Sequence, residues 1–170
     1  MSALTKAIIE HDNTAKKIAA TMGQNALPEL LTLLEDDNPA IRERCVFAMS
    51  ALPLTTSYPL LVKAAEDSYL TVALAAINEI EKRHREISTE LLVGLLEKLK
   101  RSKTKNPIVL VLGERLTLNE TQHLDKYCNT EHEQSLVLHC ITALAKMGVE
   151  QRRQQFSTYL CSLHDKPQAL

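Results

Sequence analysis

The sequence predicts an all-α fold, an α-solenoid of stacked antiparallel helix pairs with about ten or eleven helices. Three observations support this prediction. A window of the sequence recurs 31 residues later, so that Pro28 matches Pro59. Apolar residues recur at the helical spacing of three and four throughout the chain, and no segment alternates as a strand does. Repeated units of this kind cannot bury their apolar faces alone, so we expect neighbouring pairs to stack.

The predicted elements follow one another within a single domain over residues 1–165. Proline marks their boundaries, because it begins a helix readily but interrupts one that has started. The elements are a degenerate opening pair at 2–23, repeats at 27–53, 57–85, 88–117 and 119–148, a capping helix at 150–164, and a loose tail at 166–170. In the third repeat, the polar residues 102–106 predict a lengthened turn, after which Pro107 resumes the pattern that Pro39 sets in the first repeat.

The second helix of each pair carries an apolar stripe with a small residue at its centre. Cys45 in the first repeat and Cys140 in the last occupy the same position, and aligning the third repeat places Gly113 there. Close packing of helices explains the need for a small residue at this point. The same alignment predicts two outward-facing rows beside the stripe. The first row is Arg44, Ala75, Leu112 and His139, and the second is Phe47, Asn78, Arg115 and Thr142.

Composition argues against several classes of function. The 170 residues carry a formal net charge of −1, so any attraction to nucleic acid or an anionic membrane must come from a local patch. Aromatic residues make up only 4% and tryptophan is absent, which disfavours sites built on base stacking. No stretch approaches the ~18 apolar residues of a membrane span, and no signal peptide opens the chain. We therefore expect a cytoplasmic protein without a membrane partner, its four cysteines reduced.

One segment carries a family resemblance. Residues 33–45, Leu-Leu-Glu-Asp-Asp-Asn-Pro-Ala-Ile-Arg-Glu-Arg-Cys, resemble a HEAT-type repeat, which shows a Leu-Leu ending, an Asp, a Pro, a Val-Arg pair and an Ala in this order. The resemblance covers about residues 24–148 and implies an armadillo-like helical stack. In that family an Asp and an Arg form a ladder of polar contacts between units, and Asp36 and Arg42 match those positions. The second unit keeps Asp67 but lacks the arginine, and the third keeps neither.

The residues predict no enzyme, no cofactor and no metal site. The paired carboxylates at 36–37 and 66–67 lie in turns between helices, where acidic side chains are solvated or cap the next helix. The histidines and cysteines near the carboxyl end lack the tight paired spacing of a structural zinc site. No Gly-x-Ser-x-Gly segment is present, and the four glycines are not spaced to hold a phosphate. A HEAT-like enzyme is the least favoured alternative.

The function that the sequence favours is a non-catalytic scaffold or adaptor, which binds another protein on a concave face lined by the second helices. Phe47 is the expected anchor, because an aromatic side chain at an otherwise polar position is typical of a contact residue. The alternative for Phe47 is packing under an adjacent helix. The candidate contacts on this face are Arg44, Phe47, Asn78, Arg115, His139 and Thr142.

The competing function is the binding of nucleic acid or another acidic ligand through a basic loop at 98–105. Its candidate residues are Lys100, Arg101, Lys103 and Lys105. Cations at the end of a helix also interact favourably with the helix dipole, which explains the run without a ligand. A second basic run at 82–85 follows a second helix and is expected on the opposite edge of the stack. Nucleic acid is therefore the disfavoured partner, because two opposite edges cannot easily form one phosphate track.

Overall fold

The computed structural model describes residues 1–130, 134–150, 152–154 and 157–158. Within these residues the chain forms ten α-helices and three short 3₁₀ helices and contains no strand, which confirms the predicted all-α class. The α-helices are α1 Ala3–Ile9, α2 Ala15–Met22, α3 Leu27–Leu33, α4 Pro39–Met49, α5 Leu54–Ala65, α6 Leu70–Lys82, α7 Thr89–Lys98, α8 Ser102–Arg115, α9 Gln122–Thr130 and α10 Gln134–Lys146.

The carboxyl-terminal prediction is covered only in part. Residues 152–154 and 157–158 are helical, and they belong to the segment predicted as a capping helix at 150–164. The apolar positions of that prediction and the tail at 166–170 lie outside the described residues. Those positions are Phe156, Tyr159, Leu160 and Leu163.

Short polar side chains begin several of the helices. Asn38 precedes α4, and its side-chain oxygen accepts a hydrogen bond of 3.0 Å from the amide of Ala40. Ser88 precedes α7 and accepts from the amide of Leu91 at 3.4 Å. The first amides of a helix have no partner within it, so these side chains supply one and fix where the helix begins.

Two helices begin earlier than predicted. The lengthened turn predicted at 102–106 is wrong, because these residues form the first part of α8, and Pro107 lies inside the helix. Likewise α5 begins at Leu54, and Pro59 lies inside it, whereas a helix near 58–66 was expected. An interior proline removes one amide donor and crowds the carbonyl four residues earlier, but both helices continue through it, so the proline does not mark where either helix begins.

The helices pack in a regular sequence. Of the second helices, α4 contacts α6, α6 contacts α8, and α8 contacts α10. Each also contacts the helix that precedes it in the chain, as α6 does α5 and α10 does α9. One continuous hydrophobic core extends from Leu4 in α1 to Leu144 in α10. The second helices therefore occupy adjacent positions along the length of this core.

The spacing of buried residues shows which positions of α4, α6 and α8 are equivalent. In α4 the buried residues at this spacing are Arg42, Cys45, Val46 and Met49. In α6 they are Ala73, Ala76, Ile77 and Ile80. In α8 the same spacing is found at Lys105, Ile108, Val109 and Leu112. The outward row predicted to contain Leu112 is therefore wrong at that residue, which is fully buried. The prediction slipped by five residues because it began this helix at Pro107 instead of Ser102.

Gly113 lies where α8 crosses α10. A Cβ atom at this position would approach the Cβ of Ala143 to 2.6 Å and its Cα to 3.3 Å. Carbon atoms in contact stay roughly 3.5–4.0 Å apart, so no side chain fits there. The prediction that close helix packing explains this glycine is confirmed, but its predicted equivalence to Cys45 is wrong, because the spacing of buried residues places Ile108 at that position.

Candidate functional site

Arg42 connects two turns at one edge of the molecule. Its Nε donates to Oδ2 of Asp67 at 2.7 Å and its Nη2 donates to Oδ1 at 2.9 Å. The remaining nitrogen, Nη1, donates to the backbone carbonyls of Asp36 at 2.7 Å and of Asp37 at 3.2 Å. Arg42 thus makes a polar contact across 25 residues, and the carboxylate that it pairs with belongs to Asp67 and not to Asp36.

The environment of Asp67 favours its charged form. Burial acts to raise the pKa of the Asp67 carboxyl, but hydrogen bonds from Arg42 and from the Tyr69 amide outweigh it and hold the pKa below its ordinary value. Arg101 extends the contact, because its guanidinium donates to the carbonyls of Asp67 at 3.1 Å and Ser68 at 2.6 Å. This edge therefore forms a chain of charge-assisted hydrogen bonds.

The basic run at 98–105 contains both exposed side chains and side chains that make contacts within the protein. Lys100 and Lys103 are exposed, whereas Arg101 is engaged with the turn after α5. Lys105 is 8% exposed, and its ammonium lies 5.0 Å from the centre of the Tyr127 ring, a distance typical of a cation–π contact. Lys105 thus occupies in α8 the place that Arg42 occupies in α4.

A small cleft of about 180 Å³ lies beside the exposed lysines. Its lining combines the cations Lys98, Lys100 and Arg101 with the acids Glu66 and Asp67. Because both signs of charge line it, this cleft does not present the uniform positive surface that phosphates prefer.

At the edge opposite Arg42, two further arginines donate hydrogen bonds to backbone carbonyls. Arg83 donates to the carbonyl of Leu52 at 2.8 Å, and Arg115 donates to the carbonyl of His84 at 2.6 Å. Both carbonyls lie 31 residues earlier in the chain. Arg83 also pairs with Glu86, whose other oxygen accepts from the amide of Leu54 at 3.0 Å. Arg115, a predicted partner contact, is thus held within the fold.

Phe47 and Arg44 line an open cleft of about 370 Å³ between α4 and the α1–α2 segment. The Phe47 ring is on the surface, with 56% of the residue exposed, and the ammonium of Lys16 lies 3.7 Å from its centre. Arg44 donates to the carbonyl of Ile9 at 2.9 Å, which fixes its guanidinium at the rim. His11 completes the wall from the turn after α1, where its φ of 58° lets the chain reverse.

A second cleft of about 400 Å³ lies on α6, α8 and α10. It brings Thr142 together with Leu110, which is 41% exposed and corresponds to Phe47 by the spacing of buried residues. His84 also lines it, and among the described residues its buried Nδ1 atom has no hydrogen-bond partner. Burial, reinforced by the charges of Arg115 and Arg85, lowers the pKa of His84, so the neutral imidazole is favoured.

The other candidate contacts take separate places. Asn78 is exposed on α6. The ring nitrogen Nδ1 of His139 lies 2.6 Å from the carbonyl of Ser135, and the hydroxyl of Thr142 donates to the carbonyl of Leu138 at 2.7 Å. These two side chains bond to their own helix, so their polar groups are partly satisfied before any partner arrives.

The described part of the chain contains neither a metal site nor a helix that could span a membrane. No group of three histidine, cysteine or acidic side chains there is arranged to hold a metal ion. None of the described helices combines the length and apolar character needed to cross a bilayer.

No family model matches the chain, and no curated protein matches it.

Sequence reasoning missed two residues of these surfaces. Leu110 escaped notice because the misplaced start of α8 assigned its position to the polar ladder. Lys16 lies in the degenerate opening pair, where no repeat register was available to align it. No hydrophobic signal marked the true start of α8, because its first buried residues, Ser102, Thr104 and Lys105, are polar.

Proposed function

We propose that this protein is a non-catalytic scaffold whose helix pairs stack as a HEAT-like α-solenoid and bind another protein. Contacts between residues 25–33 apart in the sequence support the stack, because each connects one pair to the next. These contacts are Arg42 with Asp67, Lys63 with Glu35, Arg83 with Leu52, Arg101 with Ser68, and Lys126 with Glu97. An array of this kind offers one extended surface along its second helices.

The observation that carries the proposal is the exposed ring of Phe47. Large aromatic side chains dominate the energy of protein interfaces when a partner desolvates them. Phe47 borders a cleft large enough to accept a side chain of a partner, and Arg44 holds a fixed guanidinium beside it. A group that is already ordered loses little conformational entropy on binding, so this rim is suited to recognition.

Leu110 extends the same surface towards the carboxyl-terminal half. Its position on α8 corresponds to Phe47 on α4 and to the exposed Asn78 on α6. The exposed apolar residues at both ends of this row give a partner two contacts on the second helices, and the polar residue between them supplies specificity.

The proposal is tested by placing a photo-crosslinking amino acid at Phe47 in the full-length protein and identifying what it captures. The purified partner is then titrated against wild type and Phe47→Ala. We expect at least a tenfold loss of affinity, the scale of an interface hot spot. Leu31→Ala is the matched control, because Leu31 is 42% exposed on a first helix. Equal affinities of wild type and Phe47→Ala would reject Phe47 as the anchor.

The basic run does not support a second function equally well. Arg101 and Lys105 bond within the fold, and acidic side chains line the neighbouring cleft. Salt separates the two functions, because phosphate binding releases counterions and weakens steeply as salt rises, whereas an apolar anchor responds little. We propose the cytoplasm as the compartment, since the cysteines of the core, Cys45 and Cys140, are buried thiols.

A further inference from the structure

We propose that the cleft on α6, α8 and α10 receives a basic side chain of the partner protein, an arginine or a lysine, which pairs with Glu81 and Glu114. This site rests on the proposed scaffold function and specifies the chemistry of the partner, which carries a cation next to an apolar residue. The cleft has a volume of about 400 Å³ and shares no lining residue with the cleft beside Phe47.

Two carboxylates from neighbouring helices line this cleft. Glu81 lies near the carboxyl end of α6 and Glu114 near that of α8, and these two helices pack against each other. Among the described residues, neither side chain makes an ion pair or a hydrogen bond. An ionised carboxylate only accepts hydrogen bonds, so both residues offer their oxygens to an incoming donor.

The basic residues that follow these glutamates are engaged elsewhere. The ammonium of Lys82 lies 3.3 Å from a carboxylate oxygen of Glu79. Arg115 donates to the carbonyl of His84 at 2.6 Å. Of the described residues that line the cleft, Lys146 is the only lysine or arginine, so two carboxylates face one ammonium. The cleft therefore attracts a positively charged group.

The walls of the cleft suit both parts of a long basic side chain. Leu110 is 41% exposed and adjoins Val111, and together they offer an apolar surface for the methylene groups. The Nδ1 atom of His84, another wall residue, is buried and has no hydrogen-bond partner among the described residues. Buried polar atoms of native proteins nearly always have a partner. A neutral imidazole accepts one hydrogen bond, and an ammonium or guanidinium brings the donor.

The test uses two small probes of matched shape. N-acetyl-leucyl-arginine amide carries the cation, and in N-acetyl-leucyl-citrulline amide a neutral urea group replaces the guanidinium. Each probe is titrated into the isotope-labelled full-length protein, and the backbone amide signals are followed by NMR. We expect the arginine probe to shift signals around the cleft, including those of Leu110 and Glu114, and to saturate at millimolar concentration. The citrulline probe should bind about fivefold more weakly, the scale of a partly exposed ion pair. Equal affinities, or no shifts at the cleft, overturn the proposal.

Substitutions identify the carboxylates responsible. Glu81→Gln combined with Glu114→Gln should lower the affinity for the arginine probe about tenfold and leave the citrulline probe unaffected. Glu35→Gln combined with Glu97→Gln is the matched control, because it removes the same charge from side chains that are 64% and 52% exposed outside the cleft. An equal loss in both double variants would show a general effect of net charge and reject the site. Lys146→Gln should strengthen binding, and a weaker affinity would also count against the site. Thermal unfolding checks that each variant is folded.

The outcomes separate this site from the Phe47 anchor. Phe47→Ala should bind the arginine probe as wild type does, because the two clefts have no residue in common. A protein that loses its partner on Phe47→Ala but shows no response to the arginine probe keeps the scaffold function and rejects the basic side chain. A response to the probe, together with partner binding that Phe47→Ala leaves intact, supports this cleft and rejects only the anchor.

Discussion

Arg42 and Asp67 form a bidentate ion pair with N···O distances of 2.7 and 2.9 Å, and only about a tenth of each side chain is exposed. The guanidinium also donates to the carbonyl of Asp36, so one residue joins the turn before α4 to the turn before α6. Planar, two-point recognition of this kind is specific to arginine, and lysine cannot reproduce it. The ion pair therefore helps to position α3 and α4 against α5 and α6.

Arg42→Ala should lower the free energy of unfolding by about 3 kcal/mol, because removing one member of a buried ion pair leaves the other charge without compensation. Lys63→Ala is the matched control, since Lys63 bonds to Glu35 across a similar sequence separation but the two side chains are far more exposed, at 45% and 64%. That variant should lose less than about 1 kcal/mol. Urea unfolding followed by circular dichroism measures both, and equal losses would contradict the structural role of Arg42.

The stabilisation from Asp67 should depend on pH. Its pKa is depressed in the folded protein from the ordinary value of 3.8, so the contribution is present above that value and is lost as pH falls through the folded pKa. Asp67→Asn should therefore be clearly less stable than wild type at pH 7, and the difference should narrow below pH 3.8. Wild type and Asp67→Asn share all the other carboxylates, so the difference between their free energies of unfolding reports on Asp67 alone. A difference that stays constant across this range would count against the ion pair.

Gly113→Ala should destabilise the protein by about 1–3 kcal/mol, the usual cost of forcing extra volume into a packed core. The new Cβ would lie 2.6 Å from the Cβ of Ala143, so α8 and α10 must separate. Gly94→Ala is the opposite case, because no atom lies within 4 Å of the new Cβ in α7. There the higher helix propensity of alanine should stabilise the protein by up to about 1 kcal/mol. Thermal unfolding of both variants tests the predicted difference in sign.

Two double substitutions in the basic run at 98–105 should differ in their effect on stability. Replacing the exposed Lys100 and Lys103 with serine should leave the midpoint of unfolding almost unchanged, because surface substitutions usually alter stability by less than about 0.5 kcal/mol. Replacing Arg101 and Lys105 with serine should lower stability by about 2 kcal/mol through lost hydrogen bonds and packing. Both double variants remove two positive charges, so net charge is matched. Equal melting temperatures would show that the whole run is solvated.

The helical character of the chain could be predicted because it depends on local periodicity. Stripes such as Cys45, Ala48 and Met49 recur at three and four, and all three residues are buried. The turn at Asp36–Asn38 was also readable, since an acid, an asparagine and Pro39 stop one helix and begin another. These features are determined by neighbouring residues in the sequence, so no knowledge of packing was needed.

The register of α8 could not be predicted, because it depends on tertiary contacts. The segment from Ser102 to Asn106 contains no large apolar residue, yet Ser102, Thr104 and Lys105 are buried. The hydroxyl of Thr104 donates to the carbonyl of Arg101, and Lys105 lies against Tyr127. Polar side chains that find such partners are buried at little cost, and a reading based on hydrophobicity assigns them to a turn.

The misplaced start of α8 also led to a wrong residue in the predicted binding surface. The misplaced register assigns Arg115 to the row of Phe47, whereas the structure places it at the end of α8 and bonds it to the carbonyl of His84. The exposure of Phe47 itself depends on how α1 and α2 lie against α4. That arrangement involves no repeat, so no sequence alignment within the chain could have supplied it.

The hydrogen bonds from Arg83 to the carbonyls of Ser50 and Leu52 have a consequence for synthesis on the ribosome. The carbonyls after α4 emerge more than 30 residues before the arginine that satisfies them, and Arg115 stands in the same relation to His84. The segment that ends with α4, and later the segment that ends with α6, therefore leaves the exit tunnel with carbonyls that Arg83 and Arg115 satisfy only afterwards. Growth by successive closure would keep the newest end the least stable part of the chain until translation is complete.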